Sequence, residues 1–113
     1  MREADFQKNV IELAKILGWT VAHFRPARTK NGGWVTPVAA DGKGFPDLFL
    51  AHPERGILAV ELKSDSGRVT KEQRFWLDTI ARAMAAMGVE QVTTDVWYPA
   101  DMRDTIPRML GGR

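Results

Sequence analysis

The chain has 113 residues, of which 44% are hydrophobic and 27% charged, so it is long enough for one globular domain and global disorder is excluded. A net charge of +2 is only mildly basic, and the lack of cysteine excludes disulfides, thiolate metal sites and cysteine nucleophiles. Because no secretory signal and no membrane-length apolar run is present, we expect a soluble, cytoplasmic protein without a membrane partner.

The first part of the chain predicts a helix and a strand, followed by a long connection. Residues 3–17 predict an amphipathic helix that stops at Gly18 and carries one apolar stripe: Phe6, Val10, Leu13, Ala14 and Leu17. Residues 19–24 are rich in aromatic and β-branched side chains and predict a strand. Residues 25–44 hold four glycines and two prolines, and we expect a long loop of the kind that is often functional.

Two short apolar runs in the middle of the chain, 47–52 and 57–63, predict a strand pair joined by the turn "HPERG". The first run begins with Asp47, and the second ends in Glu61 and Lys63. Burying an unpaired charge costs several kcal/mol. The sequence therefore predicts that a partner or a ligand holds these charges.

The rest of the chain predicts a crossover helix and a final strand. Thr70 is the expected N-cap of a helix that runs to about Met87, and residues 91–98 predict the last strand. We expect Asp101 to cap a short terminal helix that Pro107 interrupts or kinks. The order α-β-β-β-α-β indicates an α/β (α+β) fold with one mixed sheet flanked by helices, in which the last strand runs parallel to an earlier one.

The alternation of side chains along the strand pair predicts a cluster of charges at one end of the sheet. Glu61 and Lys63 project to the same face, and a turn centred near Glu54 sets Asp47 opposite Glu61. Two close carboxylates repel each other, and a hard divalent cation such as Mg²⁺ relieves that repulsion. We expect a metal site here with Lys63 beside it; the alternative is an exposed strand end with an ordinary ion-pair cluster.

Several short motifs occur together along nearly the whole chain. They are Gly44-Phe45-Pro46-Asp47-Leu48, Glu61-Leu62-Lys63-Ser64, Gly67-Arg68-Val69-Thr70 with Gln73 and Trp76, and "VWYPAD" over 96–101. In combination they resemble the VRR-NUC branch of the PD-(D/E)XK nuclease superfamily, the small, phage-type, stand-alone replication and repair nucleases. The resemblance implies a restriction-endonuclease-like core in a single nuclease domain over residues 1–113.

The resemblance also implies a role for each matching residue. Asp47 and Glu61 would bind Mg²⁺, for which Mn²⁺ would substitute, and the Leu62 backbone carbonyl would join them. Lys63 would be the catalytic lysine. The implied reaction is the hydrolysis of a DNA phosphodiester bond that leaves a 5′-phosphate and a 3′-hydroxyl.

Two further residues have alternative interpretations. The resemblance makes Gln73 a catalytic residue that contacts the water or the phosphate, whereas the spacing Thr70-x-x-Gln73 alone predicts a helix capping box. The resemblance makes Glu3 an outer metal contact, but Glu3 is equally a favourable charge at a helix N-terminus.

Basic residues in two loops are candidates for contacts with DNA phosphates: Arg25, Arg28, Lys30, Lys43, Arg68 and Lys71. The alternative is that these loops are simply solvated. Since no base-reading recognition helix is evident, we expect structure-selective rather than sequence-specific cleavage. The resemblance implies branched DNA or four-way junctions as the substrate, resolvase-like, cut by a homodimer in DNA repair. The expected location is the cytoplasm of a bacterial or phage-infected host cell. The alternative function is a non-catalytic nucleic-acid-binding subunit on the same fold.

Overall fold

The computed structural model describes residues 2–24, 27–28, 31–35 and 39–111. Three helices and six strands follow one another, with a 3₁₀ helix near the end: α1 (Glu3–Ile16), β1 (Thr20–His23), β2 (Ala27–Arg28), β3 (Trp34–Val35), β4 (Leu48–His52), β5 (Gly56–Leu62), α2 (Lys71–Ala86), β6 (Thr94–Trp97), the 3₁₀ helix Pro99–Arg103 and α3 (Thr105–Gly111). No helix in the described part of the chain is long and apolar enough to span a bilayer.

Four of the strands form a mixed sheet in the order β1-β4-β5-β6. The pairs β1–β4 and β4–β5 are antiparallel, and β5–β6 is parallel. The parallel pair confirms the prediction drawn from the crossover helix α2, because a parallel neighbour cannot be reached through a tight turn. The segment predicted as one long loop contains a short antiparallel ribbon, β2 with β3.

Helices cover both faces of this sheet, and the mixed sheet flanked by helices confirms the predicted fold class. On one face α1 and α3 pack on the strands, and the core there contains, among the described residues, Phe6, Val10, Ala14, Trp19, Leu48, Leu50, Leu58, Val60, Leu62, Trp97, Ile106 and Leu110. On the other face α2 packs against β5 and β6 and buries Leu77. Because β5 is covered on both sides, all of its residues from Leu58 to Leu62 are buried.

The C-terminal segment differs from its prediction. Asp101 Oδ2 accepts the Tyr98 N–H at 2.8 Å and so caps the 3₁₀ helix, whereas α3 begins only at Thr105. Pro107 is the third residue of α3, where the backbone N–H has no intrahelical acceptor, so a proline costs no hydrogen bond there. The prediction that Asp101 caps a helix kinked by Pro107 is therefore wrong.

Candidate active site

The register of β4 and β5 brings Asp47 to the end of the sheet that carries Glu61. Leu48 lies opposite Val60, so the next pair outward is Asp47 with Glu61, which confirms the predicted register. Asp47 is held from two sides: its backbone carbonyl accepts the Phe24 N–H at 2.8 Å, and its Oδ2 accepts the Leu62 N–H at 3.0 Å. Asp47, directly before β4, and Glu61, in β5, therefore place their carboxylates at the same end of the sheet.

Glu61 is a buried acid with one unsatisfied oxygen. Its side chain is only 1% exposed; Oε1 accepts a hydrogen bond from Gln73 Nε2 at 3.0 Å, whereas Oε2 has no partner among the described residues. Burial raises the pKa of Glu61 to about 9, and Asp47 contributes by hydrogen bonding to the protonated form and by charge repulsion, against an opposing effect of Lys63. A buried acceptor without a partner is destabilising, so this carboxyl requires either a proton or a cation.

The donors at this site fit a hard divalent cation. Asp47 and Glu61 offer carboxylate oxygens, one of them buried and unpaired. The described residues contain no group of three or more His, Cys, Asp or Glu side chains that could hold a metal. Mg²⁺ is typically held by one or two carboxylates and retains several waters, so two acids are sufficient. The structure does not bring Glu3, which is exposed in the first turn of α1, into a three-acid group with these two residues.

Gln73 both caps α2 and donates a hydrogen bond to Glu61. Its Oε1 accepts the Thr70 N–H at 2.8 Å and its backbone N–H donates to Thr70 Oγ1 at 3.1 Å, which completes the predicted capping box. Its Nε2 donates to Glu61 Oε1 at 3.0 Å. The two interpretations of Gln73 use different atoms of one amide, so the capping box itself orients the amide toward Glu61.

Comparing Gln73→Ala with Thr70→Ala separates these two contributions. Both substitutions remove a capping hydrogen bond, so we expect each to lower the free energy of unfolding by about 1 kcal/mol. Gln73→Ala alone also removes the donor to Glu61, so it should reduce any activity that depends on the Glu61 carboxylate about 10- to 100-fold, the range that is usual for groups that orient a metal ligand. Urea denaturation and initial cleavage rates measure the two effects. Equal activity loss in both variants would assign Gln73 to helix capping only.

Lys63 follows β5 directly and is half-buried beside the two acids. Its backbone N–H donates to the Trp97 carbonyl at 2.9 Å, which extends the β5–β6 pairing by one residue. A Cβ at Gly67 would lie 3.2 Å from both Cβ and Cδ of Lys63, so the turn from Ser64 to Gly67 packs against the aliphatic part of the lysine. This packing restricts the aliphatic part of the lysine, and the positive charge of Lys63 acts to lower the pKa of Glu61.

A feature that the sequence analysis missed is the close packing of Gly44 on the start of α2. Gly44 has φ +85°, and a Cβ there would lie 2.6 Å from Glu72 Cβ, 2.7 Å from the Glu72 carbonyl carbon and 2.9 Å from Gln73 N. Trp76 fixes the same loop, since its Nε1–H donates to the Asp41 carbonyl at 2.8 Å. The glycine of the G-x-P-D motif was the available signal, because glycine often marks a close backbone approach.

The predicted DNA-binding residues are only partly described. Lys43, Arg68 and Lys71 are exposed, and Lys43 Nζ lies 4.0 Å from Glu72 Oε2. Arg25, Lys30 and the side chain of Arg28 lie outside the described residues. The contacts of all six with DNA remain predictions.

A family model for the VRR-NUC domain matches residues 34–94, which is just over half of the chain. The match contains Asp47, Glu61, Lys63 and Gln73, whereas Glu3 lies outside it. No curated protein and no solved structure gives a significant match.

Proposed function

Since this chain belongs to the VRR-NUC family of nuclease-type domains, we propose that it is a divalent-metal-dependent endonuclease that hydrolyses phosphodiester bonds in DNA. The observation that carries the proposal is the unpartnered oxygen of the buried Glu61 next to Asp47. A plain structural domain gains nothing from a buried pair of acids, because the pair raises the free energy of the folded state unless something neutralises it.

Each residue of the site has a defined part in the proposed reaction. Asp47 and Glu61 would hold Mg²⁺, or Mn²⁺ in its place, and the Leu62 N–H and Gln73 Nε2–H fix the two carboxylates in position. When bound, the cation supplies Lewis-acid stabilisation of the negative charge that builds up on the phosphate. Lys63 places a positive charge beside the same group, which lowers the energy of the transition state further.

The proposed reaction consumes one water molecule. Water attacks phosphorus, the bond between phosphorus and the 3′ oxygen breaks, and a proton is transferred to that oxygen, which leaves a 5′-phosphate and a 3′-hydroxyl. We further propose branched DNA as the substrate, a homodimer as the active form and the cytoplasm as the location. The exposed cations Lys43, Arg68 and Lys71 support a DNA partner, since such side chains neutralise backbone phosphates.

Incubation with linear, nicked, flap and four-way-junction DNA tests this function. We expect cleavage in Mg²⁺ or Mn²⁺, fastest on the branched forms, and none in excess EDTA because the acids then lack their cation. Lys63→Ala is the matched control and should bind the same DNA without cutting it, which excludes a contaminating nuclease. Turnover in EDTA would disprove the metal requirement. Binding without cleavage in either metal would favour a non-catalytic subunit.

A further inference from the structure

A pocket of about 420 Å³ lies beside the candidate active site. Among the residues that the structure describes, its walls are formed by the loop over 40–43 and by the first turns of α2, including Lys71, Phe75 and Trp76. Pockets for small molecules typically measure about 300–1,000 Å³, and the volume here lies within that range.

The pocket is continuous with the site through two structural links. Gly44 packs on Glu72, which lines the pocket, and the loop then continues through Pro46 to Asp47. Gln73, the residue after Glu72, donates to Glu61. A ligand in this pocket would therefore touch the same two elements that position both carboxylates.

One wall of the pocket offers an exposed aromatic ring. Phe75 is 66% exposed and belongs to the pocket lining. Trp76, by contrast, is held in place: its ring meets Phe45 edge-on with centroids 5.0 Å apart, and its N–H is bonded to the Asp41 carbonyl. Phe75 is thus available for stacking with a planar ligand, and the nucleobase is the planar group of a DNA strand.

The charges around the pocket favour a nucleobase over a free anion. Two lysines, Lys43 and Lys71, are balanced by two acids, Asp41 and Glu72, so the lining has no net charge for an isolated phosphate. Mixed donors and acceptors suit the polar edge of a base. Lys43 forms only a long ion pair with Glu72, 4.0 Å from Nζ to Oε2, and its side chain is 80% exposed, so it can exchange this partner for a flanking phosphate.

We propose that this pocket binds one unpaired nucleotide of the substrate strand, with its base stacked on Phe75. The inference rests on the proposed nuclease function and narrows its substrate class to DNA with an unpaired nucleotide next to the cleaved bond. Fully paired DNA would first have to expel a base from the helical stack, at a substantial energetic cost.

Fluorescence of 2-aminopurine placed at the unpaired positions next to a DNA branch tests this inference. The measurement is made in EDTA so that no cleavage occurs. We expect quenching on binding to the wild-type protein, loss of quenching and about 10-fold weaker binding with Phe75→Ala, and recovery with Phe75→Tyr. Affinity for fully paired duplex should not change. Met87→Ala, which alters a side chain that is 77% exposed at the other end of α2, is the control and should behave as wild type.

The outcomes test nucleotide binding in the pocket separately from the proposed nuclease activity. Unchanged quenching in Phe75→Ala, or an equal loss of affinity for paired duplex, would overturn the inference even if cleavage occurs. Quenching that depends on Phe75 would support it even if no cleavage is ever seen. Excess deoxyadenosine monophosphate should leave the signal unchanged because a free nucleotide lacks the flanking phosphates; displacement would assign the pocket to free nucleotides instead.

Discussion

Glu61→Gln should reduce DNA cleavage at least about 100-fold, because even groups that merely orient metal ligands are worth 10- to 100-fold. The amide is nearly isosteric with the acid and can still accept the hydrogen bond from Gln73, so the fold is retained. The side chain loses the negative charge that would hold the cation. The same substitution should make the metal-free protein more stable at neutral and alkaline pH.

The sign of that stability change follows from the raised pKa of Glu61. The folded protein keeps the proton up to about pH 9, whereas the unfolded chain loses it near the ordinary value of 4.5. Between these values the folded state binds more protons, so the free energy of unfolding of the metal-free protein falls as pH rises. For this one proton the slope is about 1.4 kcal/mol per pH unit at most. The amide side chain of the Glu61→Gln variant has no proton to lose, and the pH profile of that variant should lack this contribution.

Urea denaturation from pH 5 to pH 9 in EDTA measures this difference. Glu54→Gln is the matched control, since it makes the same chemical change at an exposed position of the same hairpin and should follow the wild-type profile. Adding Mg²⁺ at pH 8 should stabilise the wild type and Glu54→Gln but not Glu61→Gln, because only a folded site with its acid binds the ion. Parallel pH profiles for wild type and Glu61→Gln would show that the buried acid is not the source of the slope.

Among substitutions that add one methyl group to the loop before Asp47, Gly44→Ala should lower the free energy of unfolding the most. The added carbon would lie 2.6 and 2.7 Å from atoms of Glu72 and 2.9 Å from the backbone nitrogen of Gln73, and φ +85° is unfavourable for alanine. The first turn of α2 would have to move, which also displaces Gln73 from Glu61. We expect a loss of about 2–4 kcal/mol in the free energy of unfolding, with strongly reduced cleavage in whatever remains folded.

Gly88→Ala is the control that separates the close contact of Gly44 with α2 from the strain of a positive φ. Gly88 has the same φ of +85°, and among the described residues beyond its chain neighbours no atom lies within 4 Å of the position that an added methyl group would take. Alanine there should therefore cost only the backbone strain of about 1 kcal/mol. Urea denaturation of both variants at one pH, followed by cleavage assays, gives the comparison. Equal losses of unfolding free energy in the two variants would mean that the loop before Asp47 moves away from α2 without an energetic cost. Gly44 would then not position the site.

The strand pair and its register could be predicted because both depend on local rules. Apolar runs bounded by a turn define β4 and β5, and alternation of side chains then places Asp47 opposite Glu61. The prediction for the C-terminal segment, by contrast, was wrong. Asp101 looked like the cap of a helix, but its carboxylate bonds to the nearby Tyr98 N–H, and a proline in the first turn of α3 needs no acceptor.

The contacts that depend on how α2 packs could not be read from the sequence. Spacing alone gives the capping box of Gln73, but its reach to Glu61 is set by the position of the helix on the sheet. The same holds for the contact of Gly44 with Glu72. For Glu3 the helix was predicted, but its side chain is exposed and does not form a group of three acids with Asp47 and Glu61 among the described residues.

The place of the two acids in the strand order has a consequence for local unfolding. β4 and β5 are the inner strands of the sheet, each paired on both sides, whereas β1 and β6 are at its margins. Transient opening of a protein begins at margins and termini, where fewer hydrogen bonds must break. Fraying of β1 therefore leaves the β4–β5 pairing and the Leu62 N–H to Asp47 contact intact. The backbone beside both carboxylates should rank among the slowest in the chain to exchange its amide hydrogens with solvent.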